Sequence, residues 1–170
     1  TPDVPRELSV NGAGAFEVGG PEGDNGLSGK KLVVDAYGPR VPIGGGALSG
    51  KDFFKVDRAG ALHARRIAKA IVMTGVASEA LVRIGWFPGD ASARLVSIQA
   101  EEGRSIGIGP WQSMFDLSLD ASGEYWTGSD DLIEVARHGH FTENARSWEK
   151  VLITPYEGLE PVRKAANDRN

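Results

Sequence analysis

The sequence predicts an α+β fold, with mixed or antiparallel sheets and helices packed on one face. One long stretch from about Val56 repeats apolar residues at three- and four-residue spacing, which is typical of an amphipathic helix. Two runs of strand length follow it, at 79–87 and 93–101. Only the five residues PGDAS separate these runs, so an antiparallel hairpin is expected.

The elements before this helix are read from residue type. Residues 1–14 are polar with two prolines and are predicted to form a lead-in or linker, and AFEV (15–18) predicts a short strand. KLVVDAY (31–37) predicts a buried strand because it is a β-branched run bounded by loops. Glycine-rich loops are predicted on either side of it, at 19–30 and 38–52. The folded region is therefore expected over 15–150, with a polar tail at 151–170.

The long helix is the clearest element. Ala59, Leu62, Ile67 and Ile71 belong to its apolar stripe, and Gly75 is expected to end it. The stripe predicts that its arginines, such as Arg58, and its histidine, His63, face solvent or the rim. Further on, SDDLIEVAR (129–137) predicts a short helix capped by Ser129. The Gly-rich stretch 103–128 carries no clear pattern.

Composition excludes several classes of protein. The net charge of −4 and the pI near 5.4 argue against a general nucleic-acid or membrane-surface binder, although a local basic pocket remains compatible with them. The sequence contains no cysteine, which excludes disulfides and thiolate metal sites and fits a cytoplasmic location. No apolar run approaches the roughly 20 residues of a membrane helix.

The loop before the long helix contains a motif of phosphate-binding type. Gly45–Lys51 spells G-x-x-x-x-G-K, but Asp52 stands where a P-loop has the Ser or Thr that holds magnesium. This change, and the lack of a strong strand directly before the loop, argue against a P-loop NTPase. The tetrapeptide LSGK occurs at 27–30 and again at 48–51. These are either two ordinary turns or two loops that converge on one anion.

Charged residues cluster around both loops. The cations are Lys30, Lys31, Lys51, Lys55 and Arg58, and the carboxylates are Asp24, Asp52 and Asp57. If the helix begins near Asp52, the last three cations lie on or near one face, where an anion would offset their repulsion. Lysines mixed with carboxylates suit a phosphate site that also holds Mg²⁺ or an ammonium group. The alternative is a lattice of surface salt bridges.

Longer motifs in the same region resemble one enzyme family. GGPEGDNGLSGKKLVVDAYG and GGGALSGKDFFKVDR, followed by AGALHARRIAKAIV, are similar to the C-terminal half of methionine adenosyltransferase, also called S-adenosylmethionine synthetase. GHFTENARSWEK (139–150) is similar to a later family motif. The resemblance is dense over 16–75, thin over 76–137, and returns near the end. It implies the repeated α+β domains of that family.

The resemblance implies a reaction and a set of roles. Family enzymes join ATP and L-methionine to form S-adenosylmethionine, and release tripolyphosphate that is hydrolysed to pyrophosphate and phosphate. By position, Lys31, Lys51 and Lys55 would be catalytic and Asp57 would bind Mg²⁺. The same resemblance implies contacts with the nucleotide: Phe16 would stack on adenine and Ala47 would line the nucleotide pocket. Asp24 would contact the methionine ammonium and the nucleoside. Polyphosphate would be bound by Lys30, Lys31 and Lys51, and Lys55 would lie between the phosphates and the methionine carboxylate.

Some family features are absent. Ala15, Lys30, Ile43 and Leu48 stand where the family usually has Arg, Arg, His and Phe. The early HPDK-type segment and the family's K⁺-binding glutamate have no counterpart in these residues. We therefore expect the chain to be inactive alone and to need a second chain with the N-terminal half, in a hetero- or homo-oligomer; a fragment of a longer enzyme would look the same. The alternatives are a noncatalytic regulatory or structural subunit and a stand-alone ATP or polyphosphate-binding module.

The remaining functional candidates are weaker. His138 and His140 could be two metal ligands, but no third ligand is near them in the sequence, and His140-Phe141 matches the family's GHF and is expected to be structural. The four tryptophans are expected to be core or interface anchors: Trp86, Trp111, Trp126 and Trp148.

Overall fold

The computed structural model describes residues 12, 14–15, 17–23, 41 and 46–151. Its helices are α1 (Gly20–Gly23), α2 (Val56–Met73), α3 (Gly109–Met114), α4 (Leu119–Trp126) and α5 (Leu132–His138), with 3-10 turns at Glu101–Gly103 and Ser147–Glu149. Its strands are β1 (Ala80–Gly85), β2 (Arg94–Ala100) and β3 (Ser105–Ile106). The predicted α+β class is confirmed. The predicted strand 31–37 lies outside the described residues, and Ala15, Glu17 and Val18 belong to no strand.

Helix α2 confirms the predicted stripe. Ala59, Leu62, Ile67 and Ile71 are fully buried along it. The helix ends where predicted because Gly75 adopts a positive φ of 73°, a conformation that glycine tolerates best. Its N–H donates to the Val72 carbonyl at 3.0 Å and closes the last turn.

The predicted hairpin is confirmed and extended by one strand. β1 and β2 pair antiparallel, and the two-residue β3 adds to the other side of β2, in the order β1-β2-β3. A register shift after Arg83 leaves Val96 largely exposed, whereas Leu95 and Ile98 face the core. Helix α2 packs mainly against β1, so the described sheet carries its long helix on one face.

The core divides into two clusters. The larger joins α2 to the sheet and to Trp111 of α3. The smaller contains Phe53, Leu62, Trp126, Val135 and Trp148 and lies at the N-terminal half of α2. Three of the four tryptophans are therefore buried and Trp86 is partly buried against the larger cluster, which agrees with their interpretation as anchors.

The unassigned stretch 103–128 contains β3, α3 and α4. Ser118 caps α4 by accepting a hydrogen bond from the Ala121 N–H at 3.1 Å. The predicted cap of α5 is wrong: the cap is Asp131, whose carboxylate accepts from the Ile133 and Glu134 N–H groups, and Ser129 contacts Asp130 and Ser147 instead. Among the described residues, no helix is long and apolar enough to cross a membrane.

Candidate functional site

The structure describes four of the predicted site residues, Ala47, Lys51, Lys55 and Asp57. The other four, Phe16, Asp24, Lys30 and Lys31, lie outside the described residues. All four described residues belong to the loop that leads into α2 or to the first turn of that helix. The segment Gly46–Lys51 contacts the N-terminus of this helix through Asp57.

Asp57 connects the loop segment Gly46–Lys51 to the first turn of α2. Its Oδ1 accepts a hydrogen bond from the Gly46 N–H at 3.1 Å, and its Oδ2 forms an ion pair with the Lys51 ammonium. Both side chains are half-buried, with 29% exposed. A carboxylate in the first turn also faces the positive end of the helix dipole, which stabilises it there. Asp57 thus neutralises Lys51 and holds both ends of the segment Gly46–Lys51.

The helix begins at Val56, as its apolar pattern predicts, and the alternative start near Asp52 is wrong. Asp52 does not begin it; its side chain accepts the Phe54 N–H at 2.9 Å and forms a local turn. The N-cap is Lys55, whose extended backbone precedes Val56 and whose own side chain makes no capping hydrogen bond. Lys51, Lys55 and Arg58 therefore do not share a helical face. Lys55 points outward, with 62% of its side chain exposed, and lies 3.7 Å from Asp52.

Arg58 and His63 contradict the prediction that they face solvent. Arg58 is only 2% exposed and donates to the backbone carbonyl of Lys51. His63 is fully buried, with Nε2 2.7 Å from the Ser122 hydroxyl. Since Ser122 donates its own hydrogen to the Ser118 carbonyl, Nε2 of His63 carries the shared proton. Burial is the main cause that lowers the pKa of His63 to about 4. The apolar spacing of α2 includes position 63, but nothing in the sequence signals its partner in α4.

The two histidines considered as metal ligands lie in different surroundings, one buried and one exposed. His140 is buried and its ring stacks on Trp148, whose indole N–H donates to the His140 carbonyl at 2.7 Å. His138 pairs with Glu134 on the surface of α5. In the part of the chain that the structure describes, no group of three or more His, Cys, Asp or Glu side chains is placed to hold a metal.

A buried ion cluster ties the far end of the chain to α2. The side chain of Glu149 is fully buried and binds both Arg65 and Lys69. Lys69 Nζ lies 2.7 Å from the carboxylate and 2.8 Å from the Glu149 carbonyl. Sequence reasoning missed this cluster, because its members are about eighty residues apart.

A cavity of about 830 Å³ opens beside Asp57, between α2 and β1. Small and apolar residues form most of its wall, including Ala61, Ala64 and Trp86. Gly46 and Asp57 also line it, so the segment Gly46–Lys51 borders the cavity.

Comparisons with known proteins identify the family of the chain. The family model of the S-adenosylmethionine synthetase C-terminal domain matches residues 18–150, well over half of the chain. The chain belongs to the S-adenosylmethionine synthetase family. The S-adenosylmethionine synthase of Deinococcus deserti is 36% identical over 171 aligned positions, which cover 98% of this chain and 41% of that protein. The S-adenosylmethionine synthase of Porphyromonas gingivalis is 36% identical over 168 positions, covering 95% and 39%.

A solved structure supports the same assignment. An unusual S-adenosylmethionine synthetase from Campylobacter jejuni superposes with a TM-score of 0.61 and 30% identity, over 80% of this chain and 37% of that one. The resemblance to the C-terminal half of the family is therefore confirmed. The chain spans about two fifths of the length of the synthases it matches.

Proposed function

We propose that this chain supplies the polyphosphate-binding half of an active site that makes S-adenosylmethionine from ATP and L-methionine. Family membership supports the reaction. The observation that supports a polyphosphate-binding role is the position of Lys51, Lys55 and Arg58 at the N-terminus of α2. Cations at the positive end of a helix dipole are unfavourable unless an anion lies near them. Asp57 and Asp52 lie beside Lys51 and Lys55, and Arg58 has no such carboxylate among the described ion pairs. A condensed phosphate would add the missing negative charge and take the place of the carboxylates as partner of the lysines.

In the reaction, the methionine sulfur forms a bond to C5′ of the ribose. The bond from C5′ to the triphosphate oxygen breaks, and tripolyphosphate leaves with the electron pair. Because the leaving group is highly charged, fixed positive charges that bind it more strongly as it departs accelerate the step. We assign this work to Lys51 and Lys55 here, with Lys30 and Lys31 as further polyphosphate contacts. Hydrolysis of tripolyphosphate to pyrophosphate and phosphate would follow in the same site.

We expect magnesium at this site to be bound jointly by Asp57 and the polyphosphate. The described residues offer it no complete cage, and Asp57 is the one carboxylate beside Lys51 that is half-buried. Magnesium commonly binds through one or two carboxylates together with substrate phosphates, so Asp57 and the polyphosphate suit it. When bound, the ion would neutralise charge on the phosphate oxygens. Asp57 must then exchange its ion pair with Lys51 for the metal.

The rest of the site is assigned by family resemblance. Phe16 would stack on adenine, Asp24 would contact the methionine ammonium, and the backbone of Ala47 would line the nucleotide pocket. The remaining catalytic groups and the K⁺ ligands would come from the N-terminal half, on a second chain in a hetero- or homo-oligomer. This chain alone is then expected to bind polyphosphate without turning over.

An activity assay tests this proposal. The chain is mixed with the chain encoded beside it, and S-adenosylmethionine formation from ATP and methionine is measured with Mg²⁺ and K⁺. We expect product from the mixture, none from either chain alone, and a strong loss with Lys51→Ala. No product from the mixture would contradict the two-chain site. Product that is unaffected by Lys51→Ala would indicate a noncatalytic, structural subunit instead.

A further inference from the structure

Arg58 is placed to control the position of Lys51. It lies in the first turn of α2, one residue after Asp57, and its guanidinium donates to the Lys51 backbone carbonyl. Asp57 meanwhile binds the Lys51 ammonium. The backbone and the side chain of the same lysine are therefore held by two neighbouring residues of the helix.

The guanidinium of Arg58 lies over the buried ring of Phe53. Its Cζ lies 4.4 Å from the ring centroid of Phe53, within the range of a cation–π interaction. Phe53 is 1% exposed and contacts Trp126 and Trp148, at centroid distances of 5.9 and 5.8 Å. The loop that carries Lys51 is thus anchored into the smaller core cluster through Phe53 and Arg58.

The surroundings of Arg58 raise the free energy of its positive charge. Within the described part of the chain, none of the ion pairs includes Arg58, and its Nε lacks a hydrogen-bond partner. Burial lowers the pKa of the guanidinium, and the opposing effect of Asp52 is smaller. A cation in the first helical turn also faces the positive end of the helix dipole. Desolvation and the dipole both oppose the charge, and a nearby polyanion would offset both.

We propose that Arg58 is a positioning residue of the polyphosphate site: it fixes the backbone of Lys51 and adds a buried positive charge beside it. This inference rests on the proposed polyphosphate-binding role of Lys51. Arginine suits the task because its planar group lies over Phe53 while one N–H donates to a carbonyl, whereas a lysine ammonium has no planar face to lie on the ring.

The test is calorimetric titration of the full 170-residue chain with tripolyphosphate over a series of KCl concentrations. The variants are Arg58→Met and Arg58→Lys. Arg146→Met is the matched control, since Arg146 is also buried but pairs with Glu143 and Asp130 in another part of the fold. Thermal melts followed by circular dichroism show whether each variant is folded.

We expect Arg58→Met to weaken binding by about tenfold and to reduce its dependence on KCl. Arg58→Lys should keep the salt dependence of the wild type with an affinity between the two, because it keeps the charge and loses the stacked fork. Arg146→Met should bind as the wild type does. A residue with a merely structural role would not change the salt dependence.

The outcomes separate the two proposals. If the wild type binds, Lys51→Ala weakens binding and folded Arg58→Met binds like the wild type, the role of Arg58 is wrong and the proposed function stands. If the wild type does not bind tripolyphosphate, the proposed function fails and this inference fails with it. Should Arg58→Met not fold, Arg58→Lys decides: unchanged affinity would overturn the role, and weaker binding with unchanged salt dependence would support it.

Discussion

The carboxylate of Asp57 binds the ammonium of Lys51, six residues before it in the chain. Neither group can serve a ligand fully while this pair is closed. The proposed binding of polyphosphate by Lys51, and of magnesium by Asp57, would therefore require each residue to change partner. The ion pair balances the local charge of the two residues.

Asp57→Asn tests this exchange of partners. The amide oxygen of Asn still accepts the Gly46 N–H, but Lys51 is released from the competing charge. Without Mg²⁺, we expect the variant to bind tripolyphosphate up to about fivefold more tightly than the wild type, since a partly exposed pair contributes about 1 kcal/mol. Titrations with and without Mg²⁺ measure the effect. A variant whose affinity rises with Mg²⁺ as much as that of the wild type would argue against Asp57 as a metal ligand.

Gly123→Ala tests the contact between Phe54, which precedes α2, and α4. A Cβ at position 123 would lie 2.0 Å from Cζ of Phe54, a ring that is 46% exposed, so the ring must move. We expect the substitution to lower the free energy of unfolding in the wild-type background. In a Phe54→Ala background it should raise that free energy by about 0.5–1 kcal/mol, because alanine is the better helix former. Urea unfolding of the four proteins measures both effects, and equal effects in the two backgrounds would show that no such contact exists.

Glu149→Gln tests the buried ion cluster. The substitution leaves Arg65 and Lys69 beside a neutral group, and about a quarter of each cationic side chain is exposed. We expect a loss of about 3 kcal/mol in the free energy of unfolding, at the low end for a broken buried pair. Glu124→Gln, at an exposed position of α4, is the control and should change little. A loss below about 1 kcal/mol would mean that the cluster does not anchor the Ser147–Glu149 turn to α2.

His63 predicts a pH dependence of stability. Its pKa is lowered to about 4 in the folded protein, from an ordinary value of 6.5, and burial is the main cause. The unfolded chain therefore binds a proton that the folded chain does not between these values, and stability falls as pH decreases from 6.5 to about 4. His140, whose pKa is also about 4, acts in the same direction. Each histidine contributes a slope of about 1.4 kcal/mol per pH unit.

The measurement for this prediction is urea unfolding at several pH values for the wild type and His63→Asn. We expect the variant to keep about half of the slope that the two histidines produce in the wild type. The slope is informative even if the variant is less stable at every pH. An unchanged slope would show that His63 is not buried as a neutral imidazole.

Local patterns predicted the elements whose causes are local. The apolar spacing from Val56 and the position of Gly75 gave α2 its correct bounds, and the runs around PGDAS gave the hairpin. A start near Asp52 was also compatible with the sequence, because Asp favours both helix N-termini and turns. Here its side chain closes a turn at Phe54, and the helix begins at Val56.

Features that depend on distant partners were not predictable. Arg58 has the sequence signature of a surface cation, and only the placement of Phe53, Trp126 and Trp148 makes it a buried one. His63 needed Ser122, and Glu149 needed Arg65 and Lys69, from elements far away in the chain. Of the predicted site, the structure brings Lys51 and Asp57 into contact and leaves Lys55 exposed near Asp52.

The most direct test of the account is the affinity of this chain for tripolyphosphate, measured by calorimetry for the wild type, Lys51→Ala and the control Lys150→Ala. Lys150 is an exposed lysine outside the proposed site. We expect the wild type and the control to bind equally, and Lys51→Ala to bind about ten- to a hundredfold more weakly, as for a lost charge-assisted contact. Equal binding by all three proteins, or no binding by the wild type, would contradict the assignment of a polyphosphate site to this loop.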